Sequence, residues 1–327
     1  MQRRWYDDRA PPWWTRPLAA LYGAVTAARR AMYRCGWLRS ERLPTPVIVV
    51  GNIVAGGAGK TPLAIALVEA LRARGFKPGV VSRGYGGAAR MPMLLGAQPD
   101  PAIAGDEPAL IRLRTGAPVA IGAKRAEAAR LLLPEGVDVI IADDGLQHYA
   151  LARDVEICVV DGVRRFGNGR LLPAGPLREP ASRLRGADFI VCNGGDAHDG
   201  EIPMRLVLGD AMDFATLATS SLVAFAGTRV HAVAGIGHPP RFFDALRALG
   251  IDAVAHPFPD HHRYAATDLA FSDGLPVLMT EKDAVKCRAL ARDGWWSVPV
   301  RAELSTAFFD AVAARIKNRC RKERARD

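Results

Sequence analysis

A β-branched run, Pro46-Val47-Ile48-Val49-Val50, leads into Gly51-Asn52-Ile53-Val54-Ala55-Gly56-Gly57-Ala58-Gly59-Lys60-Thr61. Residues of these types in this order form a loop that cradles phosphate. Glycines let backbone N–H groups turn inward on the anion, Lys60 reaches the β- and γ-phosphates, and the Thr61 hydroxyl takes a Mg2+ position. The anion then rests on a helix N-terminus. Val54 stands where the G-x-x-x-x-G-K-[ST] spacing has its first glycine, although Gly56 and Gly57 lie inside the loop. The phosphate-contacting stretch is read as Val54, Ala55, Gly56, Gly57, Ala58, Gly59, Lys60 and Thr61, against the alternative of an ordinary glycine-rich turn. Further on, Val137-Asp138-Val139-Ile140-Ile141-Ala142-Asp143-Asp144 is a buried strand that ends in two carboxylates. Parallel strands deliver their C-terminal ends to one edge, so Asp143 or Asp144 can hold Mg2+ beside the loop, directly or through water. Either fits, because both emerge at the same strand end.

Two further clusters are locally ambiguous. Gly105-Asp106-Glu107-Pro108 reads as a helix start with Asp106 as cap and Glu107 in the first turn. Phe258-Pro259-Asp260-His261-His262 reads as a metal cluster or a surface turn, and adjacent histidines rarely ligate one metal with good geometry.

The elements that position these residues follow from hydrophobic patterning. Apolar runs at residues 79–82, 119–122, 137–142, 155–161 and 189–193 alternate with helical patterns. Such near-continuous apolar strands imply an α/β fold whose parallel sheet is covered on both faces. The pattern weakens over residues 209–221. A second series follows, with strands expected at 222–226, 230–236, 253–256 and 276–280 and a helix near 241–249. The expected organisation is an N-terminal segment 1–42, a phosphate-loop domain 43–215 and a smaller α/β domain 216–300, joined by a hinge. A C-terminal helix and basic tail, 301–327, would return to the first domain.

The chain has 327 residues and a formal net charge of +10, a balance that favours an anionic partner such as nucleotide, nucleic acid or lipid headgroups. The five cysteines are widely spaced without a C-x-x-C, which argues against a zinc cage or a disulfide framework. No apolar stretch approaches the ~20 residues of a membrane-spanning helix. In the N-terminal segment Pro17 suits a first helical position, and Leu18, Leu21, Tyr22, Val25, Met32 and Tyr33 fall on one face flanked by Arg30 and Arg34, after Trp13 and Trp14. That pattern describes either a helix lying in a membrane interface or one packed on its own domain.

Together, the segments Gly51-Asn52 through Thr61-Pro62, Ser82-Arg83-Gly84-Tyr85-Gly86, Gly105-Asp106-Glu107-Pro108, Asp143-Asp144-Gly145-Leu146-Gln147-His148 and Leu172-Pro173-Ala174-Gly175-Pro176-Leu177-Arg178-Glu179 resemble the tetraacyldisaccharide 4'-kinase family. The match continues in order through Ala232-Val233-Ala234-Gly235-Ile236-Gly237, the Asp260-His261 turn and Thr280-Glu281-Lys282-Asp283. This family is similar to the present chain in lacking the first loop glycine. The resemblance implies a P-loop NTPase-like domain hinged to a smaller α/β domain, with ATP and Mg2+ as cofactors. It implies phosphorylation of the 4'-hydroxyl of an acylated disaccharide 1-phosphate lipid at the cytoplasmic face of the inner membrane. Asp106 is then the expected base, paired with His261, while Lys60 and Arg178 hold the transferring group. Arg83, Tyr85, Glu107, Arg125, Gln147 and Glu179 are expected near nucleotide or disaccharide. An anionic inner-membrane surface is the expected docking partner of the N-terminal helix, with no nucleic acid and no obligate protein partner. The alternative is a nucleotide switch of GTPase or metallochaperone type. Guanine readers commonly carry [NT]-K-x-D, and Thr280-Glu281-Lys282-Asp283 places its lysine one position too late.

Overall fold

The structure, a computed structural model, describes residues 5–7 and 10–324. The end of the basic tail, residues 325–327, lies outside them. Helix α1, Thr15–Arg34, precedes a run of eight strands: β1 Val47–Gly51, β2 Pro78–Ser82, β3 Met93–Leu94, β4 Val119–Ile121, β5 Val139–Asp143, β6 Val155–Asp161, β7 Phe189–Asn193 and β8 Glu201–Leu208. Interleaved with them are α2 Lys60–Ala73, α3 Pro101–Ala104, α4 Asp106–Thr115 and α5 Arg125–Arg130. The chain then crosses to a second sheet with β9 Ala211–Asp213, β10 Thr219–Ser220, β11 Arg229–Ala234, β12 Asp252–Pro257, β13 Val277–Thr280 and β14 Trp295–Val298, carrying α6 Pro239–Ala248 and α7 Glu281–Cys287. Strand β15, Val300–Glu303, and helix α8, Thr306–Arg324, return to the first sheet.

Among the described residues the larger sheet has nine strands in the order β15-β8-β7-β6-β1-β5-β2-β4-β3 and the smaller six, β10-β9-β14-β13-β11-β12. The centre of each is parallel, and antiparallel pairs occur only toward the edges. Strands β1, β2 and β5 are buried along their whole length. Their unbroken apolar character follows from being covered on both faces. Helix α2 buries Leu63, Leu67, Val68 and Leu71 on one face of the sheet together with Phe308, Val312 and Ile316 of α8, while Leu132, Leu146 and Leu177 cover the other face. In β1 and β5 the register sets Val50 beside Asp143, which brings the start of the phosphate loop and the acidic strand end to the same edge.

Several sequence expectations are corrected here. Residues 222–226 are not a strand: Leu222–Phe225 is a short 3-10 turn capped by Ser221, and its three-residue repeat buries Leu222 and Phe225 together. Strands β8, β14 and β15 were not among the expected elements; β14 and β15 have only four residues each, too few for a pattern to stand out. The chain passes from the larger sheet to the smaller between Leu208 and Ala211, since β9 already pairs with β14. Helix α1 opens at Thr15, which leaves Pro17 within the first turn. Its six expected apolar residues share one face of the helix, and the body of the protein covers only the edge that carries the tyrosines. Leu18, Leu21, Val25 and Met32 are exposed, whereas Tyr22 and Tyr33 are half-buried. Gly23 lies against Leu171, and the Tyr33 ring sits 5.9 Å from that of Tyr149.

Candidate active site

The phosphate loop is shaped by glycines where no other residue would sit easily. Gly56 and Gly59 have φ of +109° and +93°, and a Cβ on Gly59 would come within 2.6 Å of Asn193 Nδ2. Gly59 is also the N-cap of α2, which starts at Lys60. The loop is braced from behind. Buried Asn52 donates from Nδ2 to Gly56 O at 3.3 Å and accepts from Lys60 Nζ at 3.2 Å. Asn193 Nδ2 donates to Ala58 O at 3.0 Å. Ala55 N donates to Pro176 O at 2.8 Å and Arg178 N to Ile53 O at 2.7 Å, tying residues 176–178 to the loop. On the outer side the Arg164 guanidinium, held by Asp161, donates to Gly57 O.

The two carboxylates at the end of β5 have different surroundings. Asp143 is fully buried, and neither carboxylate oxygen has a hydrogen-bond partner. Burial, reinforced by the charges of Glu107 and Asp144, pushes its carboxyl well above the usual range. Burial acts in the same direction on Asp144. There it is outweighed by Lys60, 3.5 Å away, and by Arg178, 3.3 Å away, so that carboxyl stays below the usual range. A buried carboxylate without a partner is costly unless a cation meets it. Asp143, with Thr61 and Asp144 nearby in the fold, therefore fits a divalent ion. Among the described residues no group of three His, Cys, Asp or Glu side chains could cage a metal alone. This suits Mg2+, which binds through one or two carboxylates plus waters and substrate phosphates.

Asp106 faces this edge from α4. Gly105, at φ +87°, occupies the cap position, so Asp106 is the first helical residue rather than the cap expected from sequence. Its side chain is thereby free to cross to the second sheet, where His261 Nδ1 donates to Asp106 Oδ2 at 3.1 Å. Lys286 of α7 stands 3.7 Å from the same oxygen. Burial raises the Asp106 pKa, but the His261 hydrogen bond and the Lys286 and Lys282 charges outweigh it and hold the carboxyl below its ordinary value. The two adjacent histidines do not share a metal. His262 turns away to Asp268 at 3.0 Å and stacks on Phe258.

A phosphate loop, an acidic strand end and an Asp–His pair thus converge from two sheets. Residues 11–317 match the family model of LpxK, tetraacyldisaccharide-1-P 4'-kinase. The chain belongs to this family. It is 55% identical over 322 residues to the tetraacyldisaccharide 4'-kinase of Stenotrophomonas maltophilia, covering 95% of each chain. Identity to the enzyme of the same name from Xanthomonas euvesicatoria is 54% over 328 residues, with 95% of this chain and 94% of that one covered. Among solved structures it is similar to Aquifex aeolicus LpxK in complex with ATP, with a TM-score of 0.78 and 27% identity over 92% of this chain and 97% of that one. The nucleotide-switch alternative is not favoured by these relationships.

Within this kinase-family framework the second tier of sequence candidates divides. Arg83 is exposed, and Tyr85, 63% exposed, packs edge-on to His261 with ring centroids 5.2 Å apart. Glu107 accepts from Lys282 Nζ at 3.3 Å. Gln147, Glu179 and Arg125, also expected near nucleotide or disaccharide, bond within the protein. Glu179 is 4% exposed and accepts from Gln147 at 2.9 Å and from Tyr149 at 2.6 Å, with Arg183 and Arg30 nearby. Gln147 also donates to Asn52 O at 3.0 Å, so the pair buttresses the phosphate loop from beneath. Arg125 is buried and donates to Gly122 O, and its charge is among those that lower the Asp144 pKa. Sequence reasoning missed Asn193, Arg164 and the roles of Lys282 and Lys286. Lys282 stood within Thr280-Glu281-Lys282-Asp283, which was read as part of the family resemblance and against the guanine motif without a role for the lysine, and the other three carried no local signal.

Proposed function

We propose that the chain transfers the γ-phosphate of ATP to the 4'-hydroxyl of a tetraacyldisaccharide 1-phosphate, forming the bisphosphorylated lipid A precursor. The observation that carries this reading is the Asp106–His261 hydrogen bond placed across from the phosphate loop. A nucleotide switch needs no proton acceptor for an alcohol, whereas a kinase does. Loop N–H groups and Lys60 hold the phosphates, and Arg178 offers a second cation on the Asp144 side. Asp106 takes the proton of the 4'-hydroxyl, and His261 orients that carboxylate. Thr61, Asp143 and Asp144 would hold Mg2+, which when bound offsets charge on the phosphate oxygens. Residues 43–208 and 300–324 form the kinase domain and residues 211–298 the smaller one, with the site between them closing to exclude water. The test is transfer of radiolabel from γ-labelled ATP to a detergent-dispersed disaccharide 1-phosphate lipid. Label in the lipid, with ATP preferred over GTP, supports the reading, and tight nucleotide binding without labelled lipid refutes it.

The substrate is a bilayer lipid, and α1 supplies the means to reach it. No helix among the described residues is long and apolar enough to cross a membrane. Leu18, Leu21, Val25 and Met32 form an outward stripe, Trp13 is 80% exposed and Trp37 81%. We propose that this stripe docks α1 on the anionic cytoplasmic face of the inner membrane, because exposed Arg29 lies beside it and aromatic rings favour the headgroup region. Replacing Leu18, Leu21 and Val25 by Glu should weaken binding to anionic vesicles by at least about 10-fold, since each buried side chain contributes roughly 1.5–3 kcal/mol. Cosedimentation measures this, and unchanged partitioning would exclude α1 as the docking element.

A further inference from the structure

We infer that Lys282 is the positioning residue that sets Asp106 and His261 against one another, by bridging the sequence neighbour of each. The inference rests on the kinase reading above. Lys282 Nζ donates to Glu107 Oε1 at 3.3 Å and to Asp260 Oδ1 at 3.0 Å. Glu107 follows Asp106 on α4, and Asp260 precedes His261 on the loop after β12. One ammonium group therefore ties both halves of the pair, and its side chain is only 16% exposed.

The far end of the bridge needs holding. His261 adopts φ +61°, a left-handed conformation that a residue with a Cβ keeps only when its surroundings impose it. Asp260 imposes it by accepting the His261 backbone N–H on Oδ1 at 3.1 Å, the same oxygen that Lys282 grips. If Lys282 lets go, that oxygen loses its anchor and the loop can relax out of the strained conformation, carrying the imidazole off Asp106.

Lys282 acts within an antiparallel contact between α4 and α7. At one end Arg114 pairs with Glu281 at 2.9 Å, and at the other Lys286 faces Asp106. The Arg114–Glu281 pair joins the same helices but touches neither neighbour of the dyad. It therefore serves as an internal control for general loosening of the contact. The groups facing Asp106 are His261 from the β12 loop, Lys282 and Lys286 from α7, and the Tyr264 phenol. Removing the Lys282 charge takes away one of the influences that favour the ionised carboxylate.

The experiment compares Lys282→Met, Lys282→Arg, Asp260→Asn and Arg114→Gln in the full chain. Three readouts are kcat for the lipid, affinity for ATP, and the pH titration of the Asp106 carboxyl followed by NMR without substrate. The expected result for Lys282→Met is a kcat lowered at least about 10-fold with ATP affinity unchanged, and an Asp106 titration displaced to higher pH. Lys282→Arg should restore most of both. Asp260→Asn reaches the bridge from its other end, and the double variant should lose much less than the product of the single effects, as coupled partners do. Parent-like kcat and Asp106 titration in Lys282→Met would overturn the proposal. So would an equal loss in Arg114→Gln with no displacement of the Asp106 titration. If the parent chain labels no lipid, the kinase reading fails, and the Asp106 titration still decides the role of Lys282.

Discussion

Asp106→Asn is expected to lower kcat by about 100-fold or more, the usual contribution of a positioned general base, while ATP affinity stays close to that of the parent chain. The carboxylate lies on α4, apart from the phosphate loop, so nucleotide contacts should survive its loss. Asparagine keeps the size of the side chain and an acceptor for His261 Nδ1, but it cannot take the hydroxyl proton. The pH dependence has a definite sign. The active form of Asp106 is deprotonated, and His261, Lys286 and Lys282 hold its pKa below the ordinary value of about 3.8. The base therefore stays ionised through neutrality, and its contribution is lost only as pH falls through that depressed pKa. An acid limb appearing above the ordinary carboxylate range would belong to another group. In Asp106→Asn the residual rate should lack the Asp106 limb altogether. Label-transfer rates measured from acidic to neutral pH check both statements, and a near-parental kcat would remove Asp106 from the role of base.

The other large effect is expected from Lys60→Ala, which should reduce kcat/KM by about 10²–10³, comparable to removing one preorganised donor from a site of developing charge. Lys60 starts α2, with its ammonium 3.2 Å from Asn52 Oδ1 and 3.5 Å from Asp144 Oδ1. In that position it neutralises part of a strongly acidic pocket. It is also one of the charges that limit the rise of the Asp143 carboxyl and hold that of Asp144 below the usual range. Its removal should thus cost ATP affinity as well as rate, because two carboxylates would face the incoming phosphates with less compensation. Calorimetric titration with ATP separates the two losses. A variant that retains more than a tenth of the parental kcat/KM would show that the lysine is not the phosphate clamp.

The sequence by itself determined the parts that are local or periodic. Val47 to Gly51 and residues 137–144 had to be buried strands of a parallel sheet, because β-branched runs without polar alternation leave no face for water. Once those strands were parallel, the phosphate loop and Asp143 had to meet at one edge. Tertiary structure decided what depends on neighbours distant in the chain. Asp106 looked like a cap because capping is judged from adjacent residues, and only the approach of His261, 155 positions away, gives its carboxylate another task. Glu179 and Gln147 stand in two segments that carry the family resemblance, and only the fold shows that they bond to one another and that Gln147 reaches Asn52 O. The apolar stripe of α1 could be written on a helical wheel, but its exposure depended on which residues the body of the protein covered, and it took Tyr22 and Tyr33 and left the leucines outside. Lys282 lay in plain view within a short motif. Its bridge between Glu107 and Asp260 exists only because two sheets, folded from separate stretches of chain, turn their C-terminal edges toward each other.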